Sequence, residues 1–356
     1  AIMGFLNRLS TGMKSPGYGI GLPSAPISGL LARSTSMKSM ILLTAVLFTA
    51  GCLSTRDRVP GFQPAADGGF TFDTGVLRGK LRAGGKSVGL SEVIHVPSGT
   101  RLDSSMGLFS HYRVFTRGKR YGAGAWDWPS TATLLSDGAV EVRFPAAEGR
   151  PLELKAVYRW RDRATLDLET TVRAVEDLPV FECFLASYFT EGFTNALVYA
   201  QPSPGTGDQP GFLAARQSAA HWHMFPRDAD AVAIIQDGRW ELEPHPVTWS
   251  IRPFLARPLA FRRAPGASLI AVLMAPATDC FAVASPFETE GHYSTYFSLF
   301  GRDIEAGQTV MKRIGQIVSA ATMVVPKAEP TPEKPALSRM ASTADAAAAI
   351  RARAAR

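Results

Sequence analysis

The chain has 356 residues, and its 38 Lys and Arg against 31 Asp and Glu give a formal net charge of +7. The positive excess lies in the two ends, because residues 53–326 contain 28 basic and 28 acidic side chains. A neutral central part lacks the basic stripe that a nucleic-acid-binding domain needs, so we expect no nucleic-acid partner.

Residues 37–52, MKSMILLTAVLFTAGC, have the layout of a secretory signal peptide: a positive charge, an apolar run and small residues. The apolar run is too short to cross a bilayer as a helix, and a buried helix is the alternative interpretation. Its end resembles the lipobox of bacterial lipoproteins, which predicts lipidation at Cys52 and a membrane-anchored protein on the periplasmic or outer-membrane face of the cell envelope. Residues 1–36 are then upstream read-through or an extended leader.

Residues 62–325 carry the pattern of a large all-β domain. Apolar and polar residues alternate with period two, and turn signals such as LSDGA, QDGRW and APGAS separate the segments. In TLDLETTVRAV (165–175), one face holds Leu166, Leu168, Thr170 and Val172 and the other face is polar. So many strands must cover one another, which predicts a large antiparallel two-layer β-sandwich. The predicted strands cover 75–83, 91–99, 139–146, 152–160, 165–175, 181–189, 231–243, 247–264, 269–276 and 308–318.

The remaining features of the chain bound the domain and its chemistry. Residues 326–356 are rich in Pro and Ala and are predicted to be a disordered tail. Cys183 and Cys280 stand in apolar contexts, where they either form a disulfide in an oxidising compartment or remain two separate buried thiols. The sequence contains no phosphate-binding glycine loop, no G-x-S-x-G and no C-x-x-C, so no cofactor is expected.

Two long segments carry a resemblance to a known fold. Residues 152–174, LELKAVYRWRDRATLDLETTVRA, with FECFLASYF after them, look like the central strands of the galactose-mutarotase-like supersandwich, and residues 296–318 look like its closing strands. The resemblance spans roughly residues 62–320. It implies a carbohydrate-handling groove on a concave sheet, but no His and Glu pair of this chain matches the family's acid and base, and fold does not imply epimerase activity.

Residues 111–130, HYRVFTRGKRYGAGAWDWPS, are the densest polar and aromatic stretch of the domain. Strand alternation predicts that His111, Arg113 and Phe115 share one face. Sugars offer apolar C–H faces to aromatic rings and hydroxyls to polar groups, which is the mixture found here. The alternative is that the tryptophans cap a sheet edge and the cations are solvated. The predicted ligand-binding residues are Arg113, Lys119, Arg120, Tyr121, Trp126, Asp127 and Trp128.

Histidines and glutamates elsewhere supply candidate acids and bases. His221 and His223, two residues apart, fit a metal pair, a pair of polar groups lining a groove, or an ordinary strand end. Glu182 lies within an apolar strand, where a carboxylate is costly unless it is paired or used. Carboxylate and imidazole together suit proton transfer at a sugar carbon. The candidate catalytic residues are His111, His221, His223, His292, Glu182 and Glu290.

These observations predict a lipid-anchored envelope protein whose supersandwich domain binds a carbohydrate or another polar small molecule. If it is an enzyme, His and Glu acid–base chemistry at a sugar is expected. The first alternative is a non-catalytic binding or scaffolding lipoprotein, and the second is a metal-dependent β-sandwich enzyme using His221 and His223. We expect residues 111–128 to form one wall of a groove that His221 and His223 also line.

Overall fold

The computed structural model describes residues 61–82, 87–216, 222–286 and 293–320, and these form β-sheets almost throughout. The strands, in chain order, are β1 (Gln63–Pro64), β2 (Phe70–Asp73), β3 (Leu77–Arg82), β4 (Gly89–His95), β5 (Thr100–Arg101), β6 (Ser110–Thr116), β7 (Lys119–Arg120), β8 (Thr131–Leu134), β9 (Val140–Phe144), β10 (Leu152–Trp160), β11 (Thr165–Ala174), β12 (Leu178–Tyr188), β13 (Asn195–Ala200), β14 (Gly211–Ala214), β15 (Trp222–Pro226), β16 (Ser250–Ile251), β17 (Leu255–Ala264), β18 (Leu269–Met274), β19 (Cys280–Pro286), β20 (Ser294–Ile304) and β21 (Thr309–Ala320).

These strands make three sheets. A nine-stranded sheet has the order β14-β13-β17-β18-β21-β11-β10-β9-β8, and a seven-stranded sheet has the order β16-β15-β19-β20-β12-β6-β7. A smaller sheet runs β1-β2-β3-β4-β5. All pairings are antiparallel except the short parallel contact between β15 and β16. The predicted all-β antiparallel fold is confirmed.

The nine-stranded and seven-stranded sheets pack face to face as the two layers of the sandwich. Side-chain hydrogen bonds join them across the core: the Tyr158 hydroxyl donates to the Phe109 carbonyl at 2.9 Å, and His111 Nε2 lies 2.9 Å from Thr170 Oγ1. The main apolar cluster draws on both sheets and on the smaller one. Leu166, Leu168, Thr170 and Val172 all point into this core, as the alternation of 165–175 predicts.

The outer face of the seven-stranded sheet is also apolar, and a short helical segment covers it. Helix α1 (Ala229–Ile235) and a 3-10 turn (Arg239–Glu241) occupy much of the segment 231–243, for which the sequence predicted β-strand with a turn signal at QDGRW. That prediction is wrong because Asp228 caps the helix: its side chain accepts a hydrogen bond from the Ala231 amide at 2.9 Å. Ala231, Ile235 and Trp240 then pack on the sheet.

A β-bulge in β6 determines which residues at the start of the polar stretch 111–130 face the core and which face outward. Leu185 of β12 pairs with His111 and Cys183 pairs with Val114, so two residues of β6 stand opposite Phe184 alone. His111 and Val114 therefore face the core between the sheets, while Tyr112 and Arg113 face outward. The predicted sharing of one face by His111 and Arg113 is wrong, because the extra residue shifts the alternation.

The two central cysteines are separate buried thiols. Cys183 in β12 and Cys280 in β19 both pair with Leu299 of β20, one from each side. Two strand spacings amount to about 10 Å, which is beyond the reach of a disulfide. Burial raises the pKa of both thiols far above the usual range. This resolves the alternative that the sequence left open.

Two further features bear on the domain and the membrane. No helix among the residues that the structure describes is both long and apolar enough to span a membrane. The boundaries 62–325, the leader segments and the tail 326–356 remain predictions, since most of the residues outside the domain are not among those described.

Candidate ligand-binding site on the outer face of the seven-stranded sheet

Aromatic rings from neighbouring strands form a floor on the outer face of the seven-stranded sheet. Tyr112 of β6, Phe184 and Tyr188 of β12 and Tyr296 of β20 come together because alternate residues of adjacent strands project to the same side. Phe184 stacks on Tyr296 with ring centres 4.7 Å apart and an angle of 18°. We call these rings, with the tryptophans that cover them, the aromatic cluster: Tyr112, Phe115, Trp126, Phe184, Tyr188, Trp240, Trp249 and Tyr296.

The tryptophans of the cluster come from the loops above the sheet. Trp126 stacks on Tyr112 with centres 4.3 Å apart and a 6° angle between planes. Trp240, in the 3-10 turn after α1, packs edge-on against Phe184 at 4.7 Å and against Phe115 at 5.0 Å. Trp249 packs edge-on against Trp240 at 5.2 Å. The loops therefore hold three indoles over one sheet face, and Tyr112, Tyr188 and Trp249 keep part of their surface in solvent.

Arg113 places a guanidinium within this aromatic cluster. Its Cζ lies 5.0 Å from the ring centre of Tyr112 and 5.2 Å from that of Trp240, which are cation–π distances. Nη2 donates to the Tyr112 hydroxyl at 3.3 Å, whereas Nε and Nη1 have no hydrogen-bond partner among the described residues. Arg113 is only 4% exposed to solvent. The guanidinium is therefore buried, and two of its three nitrogens make no hydrogen bond to the described residues.

The hydroxyls of Tyr188 and Tyr296 are neutral at ordinary pH. Burial, with Tyr296 nearby, holds the pKa of Tyr188 well above its usual value, and burial likewise raises the pKa of Tyr296. Ser294 Oγ donates to the Tyr296 hydroxyl at 2.8 Å. Neutral hydroxyls both donate and accept hydrogen bonds, so they suit a ligand with hydroxyl groups.

Arg120 joins the two loops that cover the cluster, and its predicted contact with a ligand stays a prediction. Its guanidinium donates to the carbonyls of Gly122, Ala123, Leu242 and Pro244, and so ties the loop before Trp126 to the loop after Trp240. Burial and the nearby Arg113 lower the pKa of Arg120 to about 10. The sequence predicted that Arg120 contacts ligand; the structure shows it holding the two covering loops together.

Glu182 lies beneath the cluster in a buried ion pair. Its Oε2 accepts from Arg239 Nη1 at 3.0 Å, and Arg239 Nη2 also donates to Asp237 Oδ2 at 2.7 Å. Burial raises the pKa of Glu182 despite the opposing effect of Arg239 and the Ser298 hydroxyl. Because Glu182 and Arg239 are fully buried and paired, Glu182 serves to fix the 3-10 turn on the sheet, which does not support the predicted catalytic role.

His111 lies in the core, away from the aromatic cluster. It is 1% exposed between the two sheets, next to Phe144 and hydrogen-bonded to Thr170. Burial lowers its pKa to about 3, so the imidazole is neutral. The structure contradicts its predicted place on a groove and leaves it no access to a substrate.

His223 also faces the core, which contradicts the single predicted groove. It lies in β15 with no exposed surface, and its ring is roughly parallel to that of Phe225 at 6.4 Å. Phe225 belongs to the core between the sheets, whereas Met224 belongs to the cluster on the outer face. His223 and Trp126 are thus on opposite faces of the seven-stranded sheet, because alternation in β15 places the histidine with Phe225.

Four other predicted ligand-binding residues lie outside the aromatic cluster. Trp128 and Tyr121 belong to the core between the sheets, with the Arg150 guanidinium 4.2 Å from the Trp128 ring centre. Lys119 is exposed at the end of β7, 4.9 Å from the Tyr121 ring centre. Asp127 is exposed and accepts the indole N–H of Trp126 at 3.0 Å. Of the predicted ligand-binding set, Arg113 and Trp126 lie in the cluster, while Arg120 and Asp127 contact Phe115 and Trp126 of it.

The remaining predicted residues cannot be placed. His221, His292, Glu290 and Cys52 lie outside the described residues. Within the described ranges, no group of three His, Cys, Asp or Glu side chains is arranged to hold a metal ion.

Sequence reasoning missed most of the aromatic cluster. Tyr112 was assigned to the opposite face from Arg113, and Trp240, Trp249 and Tyr296 were not singled out. A signal was present, because four of the six tryptophans, 126, 222, 240 and 249, lie on or beside this one face. Their spread over more than a hundred residues hides that convergence in the linear sequence.

No model of a protein family matches this chain, and no curated protein matches it. Solved structures of similar fold include a galactose mutarotase-like protein from Lactobacillus casei ATCC 334, with 12% identity, a TM-score of 0.46 and coverage of 71% of this chain and 100% of that one. An aldose epimerase homologue from C. elegans matches with 8% identity, a TM-score of 0.38 and coverage of 73% and 99%. Because the TM-scores are below 0.5, no residue of this chain takes a role from these structures.

Proposed function

We propose that this protein is a lipid-anchored envelope protein that binds carbohydrate on the outer face of its seven-stranded sheet. The observation that carries the proposal is the aromatic cluster with the Arg113 guanidinium held within it. Stacked rings match the apolar C–H faces of a sugar ring, while the guanidinium and the tyrosine hydroxyls match its oxygen atoms. This combination of an apolar wall and a few directed polar groups is typical of small-molecule sites.

The predicted catalytic residues that the structure describes favour binding over catalysis. An acid–base enzyme needs an imidazole or carboxylate free to exchange a proton with the substrate. His111 and His223 face the core, and Glu182 is bonded to Arg239. A binding protein is therefore the first candidate, and a carbohydrate-active enzyme that also uses His221, His292 or Glu290 is the second.

Binding is tested by applying the full chain to a glycan array. Each glycan that binds is then titrated into the protein while its tryptophan fluorescence is recorded. We expect glycans to change the emission, because Trp126, Trp240 and Trp249 lie in the cluster. Trp249→Ala should weaken binding about tenfold, since it removes a half-buried ring. The matched control is Phe254→Ala, which removes an exposed ring outside the cluster. An array with no hits, or equal losses in both variants, would contradict the proposal.

Anchoring is tested separately, by fractionating cells that express the full chain. The charged, apolar and small-residue layout that ends in Thr49-Ala50-Gly51-Cys52 motivates the experiment. We expect the protein in the membrane fraction, and we expect Cys52→Ala to accumulate as precursor, because the cysteine is the predicted lipid acceptor. Several acyl chains hold a protein stably on a bilayer, whereas a single chain does not. Unchanged fractionation of the variant without precursor would refute the anchor.

A further inference from the structure

The aromatic cluster contains hydrogen-bond donors that lack acceptors. In addition to Nε and Nη1 of Arg113, the indole N–H groups of Trp240 and Trp249 are buried with no acceptor among the described residues. The indole N–H of Trp126 differs, since it donates to Asp127. Buried polar groups in folded proteins nearly always have partners, so four donors without acceptors on one sheet face need an explanation.

Two acidic side chains described on this face, Glu182 and Asp237, are paired with Arg239 rather than with Arg113. Arg239 bonds Glu182 at 3.0 Å and Asp237 at 2.7 Å. Arg113 forms no ion pair with a carboxylate in the part of the chain that the structure describes. Among the described residues, the faces of the Tyr112 and Trp240 rings stabilise its charge. A buried cation without an anion is costly.

From these two observations we propose that the carbohydrate bound at the aromatic cluster carries an acidic group, a carboxylate or a sulfate, which pairs with Arg113. The inference rests on the proposed function, because it names the class of sugar that the same site takes. A neutral sugar would supply acceptors to the donors but would leave the charge of Arg113 unbalanced. An acidic sugar supplies both, and charge-assisted bonds from a guanidinium to an acid group are stronger than neutral ones.

The half-buried rings give the ligand a place beside Arg113. Tyr112 is in contact with the guanidinium through its ring and its hydroxyl, and it reaches solvent. Trp249 also reaches solvent and packs on Trp240, the other ring that Arg113 faces. A sugar that stacks on these exposed edges brings a substituent towards Nε and Nη1.

The test measures binding of the full chain to sets of oligosaccharides with the same backbone in neutral, uronate and sulfated forms, by calorimetry. We expect the acidic member of a set to bind at least about tenfold more tightly than its neutral counterpart. The preference should fall as salt increases, because screening weakens the charge interaction. Equal affinity for the two members would overturn the inference while leaving the proposed function intact. No binding of any oligosaccharide would overturn both.

Two further arms assign the effect to Arg113 and to a sugar. Arg113→Met should abolish the preference for the acidic member. The matched control is Arg159→Met, which removes the arginine of an exposed ion pair with Asp137 on the other sheet and should leave the preference intact. Retention of the preference in Arg113→Met would overturn the inference. Sodium acetate and sodium sulfate are titrated as free anions, and binding of either as tightly as the acidic oligosaccharide would overturn the sugar assignment. If a variant fails to fold, the affinities of the unaltered protein for the acidic and neutral oligosaccharides still decide whether the site prefers an acidic sugar.

Discussion

Arg239→Met is expected to lower the free energy of unfolding by about 3–5 kcal/mol, the typical loss when one partner of a buried ion pair is removed. Arg239 has no exposed surface, and it bonds Glu182 at 3.0 Å and Asp237 at 2.7 Å. Without the guanidinium, the Glu182 carboxylate remains fully buried and loses its cation. Urea denaturation at pH 7 measures the change.

The matched control is Arg159→Met, which removes an arginine of an exposed pair. Arg159 and Asp137 are 43% and 49% exposed, so the expected loss is below about 1 kcal/mol. The double variant Arg239→Met with Glu182→Met should recover most of the stability, because an apolar pair often replaces a buried ion pair at little cost. Equal losses in Arg239→Met and Arg159→Met would show that burial does not dominate the energetics of the pair.

The loss in Arg239→Met should also shrink as the pH is lowered. Burial already raises the pKa of Glu182, and removing the cation raises it further. A carboxyl whose folded pKa lies above its unfolded value destabilises the fold fully above the folded pKa. That penalty vanishes as the pH falls to the unfolded pKa, about 4.3. Denaturation at pH 7 and pH 5 should therefore show a smaller loss at pH 5; a constant loss would mean that Glu182 stays ionised or is protonated throughout.

The sheets were predictable from the sequence because the alternation of apolar and polar residues that marks a strand is visible within a few consecutive residues. Period-two alternation reports which residues of a strand share a face, and Leu166, Leu168, Thr170 and Val172 obey it in β11. Turn residues then mark where strands end. The same rule failed for residues 231–243, because a short helix with a capping aspartate carries apolar residues as densely as a strand does.

The candidate site was less predictable because it depends on long-range contacts and on one extra residue. The bulge at Tyr112 and Arg113 reverses the faces of β6, and no feature of HYRVFT marks where an alternation breaks. Trp126 and Trp240 are more than a hundred residues apart, and hydrogen bonds from the Arg120 guanidinium hold their loops together. Dense polar stretches did indicate a functional region, but their residues divide between the core, the surface and the outer face.

Several of the predicted catalytic residues have structural roles for the same physical reason. A histidine in a β-strand is as readily a buried hydrogen-bonding group as a proton carrier, and burial decides which. His111 bridges the two sheets through Thr170 in a neutral state. Glu182 illustrates the point for a carboxylate, since it is buried and fixed by Arg239. The candidate ligand-binding group is instead Arg113, the guanidinium whose bonds the fold leaves incomplete.

Arg113→Met is expected to leave the ligand-free protein at least as stable as the unaltered protein, and to raise its free energy of unfolding by about 1 kcal/mol. Leaving a buried donor unpaired costs about 1–3 kcal/mol, and Nε and Nη1 are both unpaired within the described structure. The variant loses the contacts with Tyr112 and Trp240, each worth about 2 kcal/mol at a desolvated site, and one long hydrogen bond to the Tyr112 hydroxyl, but it also removes the cost, several kcal/mol, of burying a cation with no carboxylate partner among the described residues. The methionine refills much of the space, so removal of the unpaired donors decides the sign.

This result would separate a binding residue from a structural one. Functional sites commonly lower stability, and replacing a residue that is kept for its ligand then stabilises the fold while weakening binding. Thermal denaturation of Arg113→Met and Arg239→Met in parallel makes the comparison, because both remove a buried arginine from the same sheet face. We expect melting temperatures to change in opposite directions, and the acidic ligand to raise the melting temperature of the unaltered protein but not that of Arg113→Met. A loss of several kcal/mol in Arg113→Met would show that Arg113, like Arg239, holds the fold together.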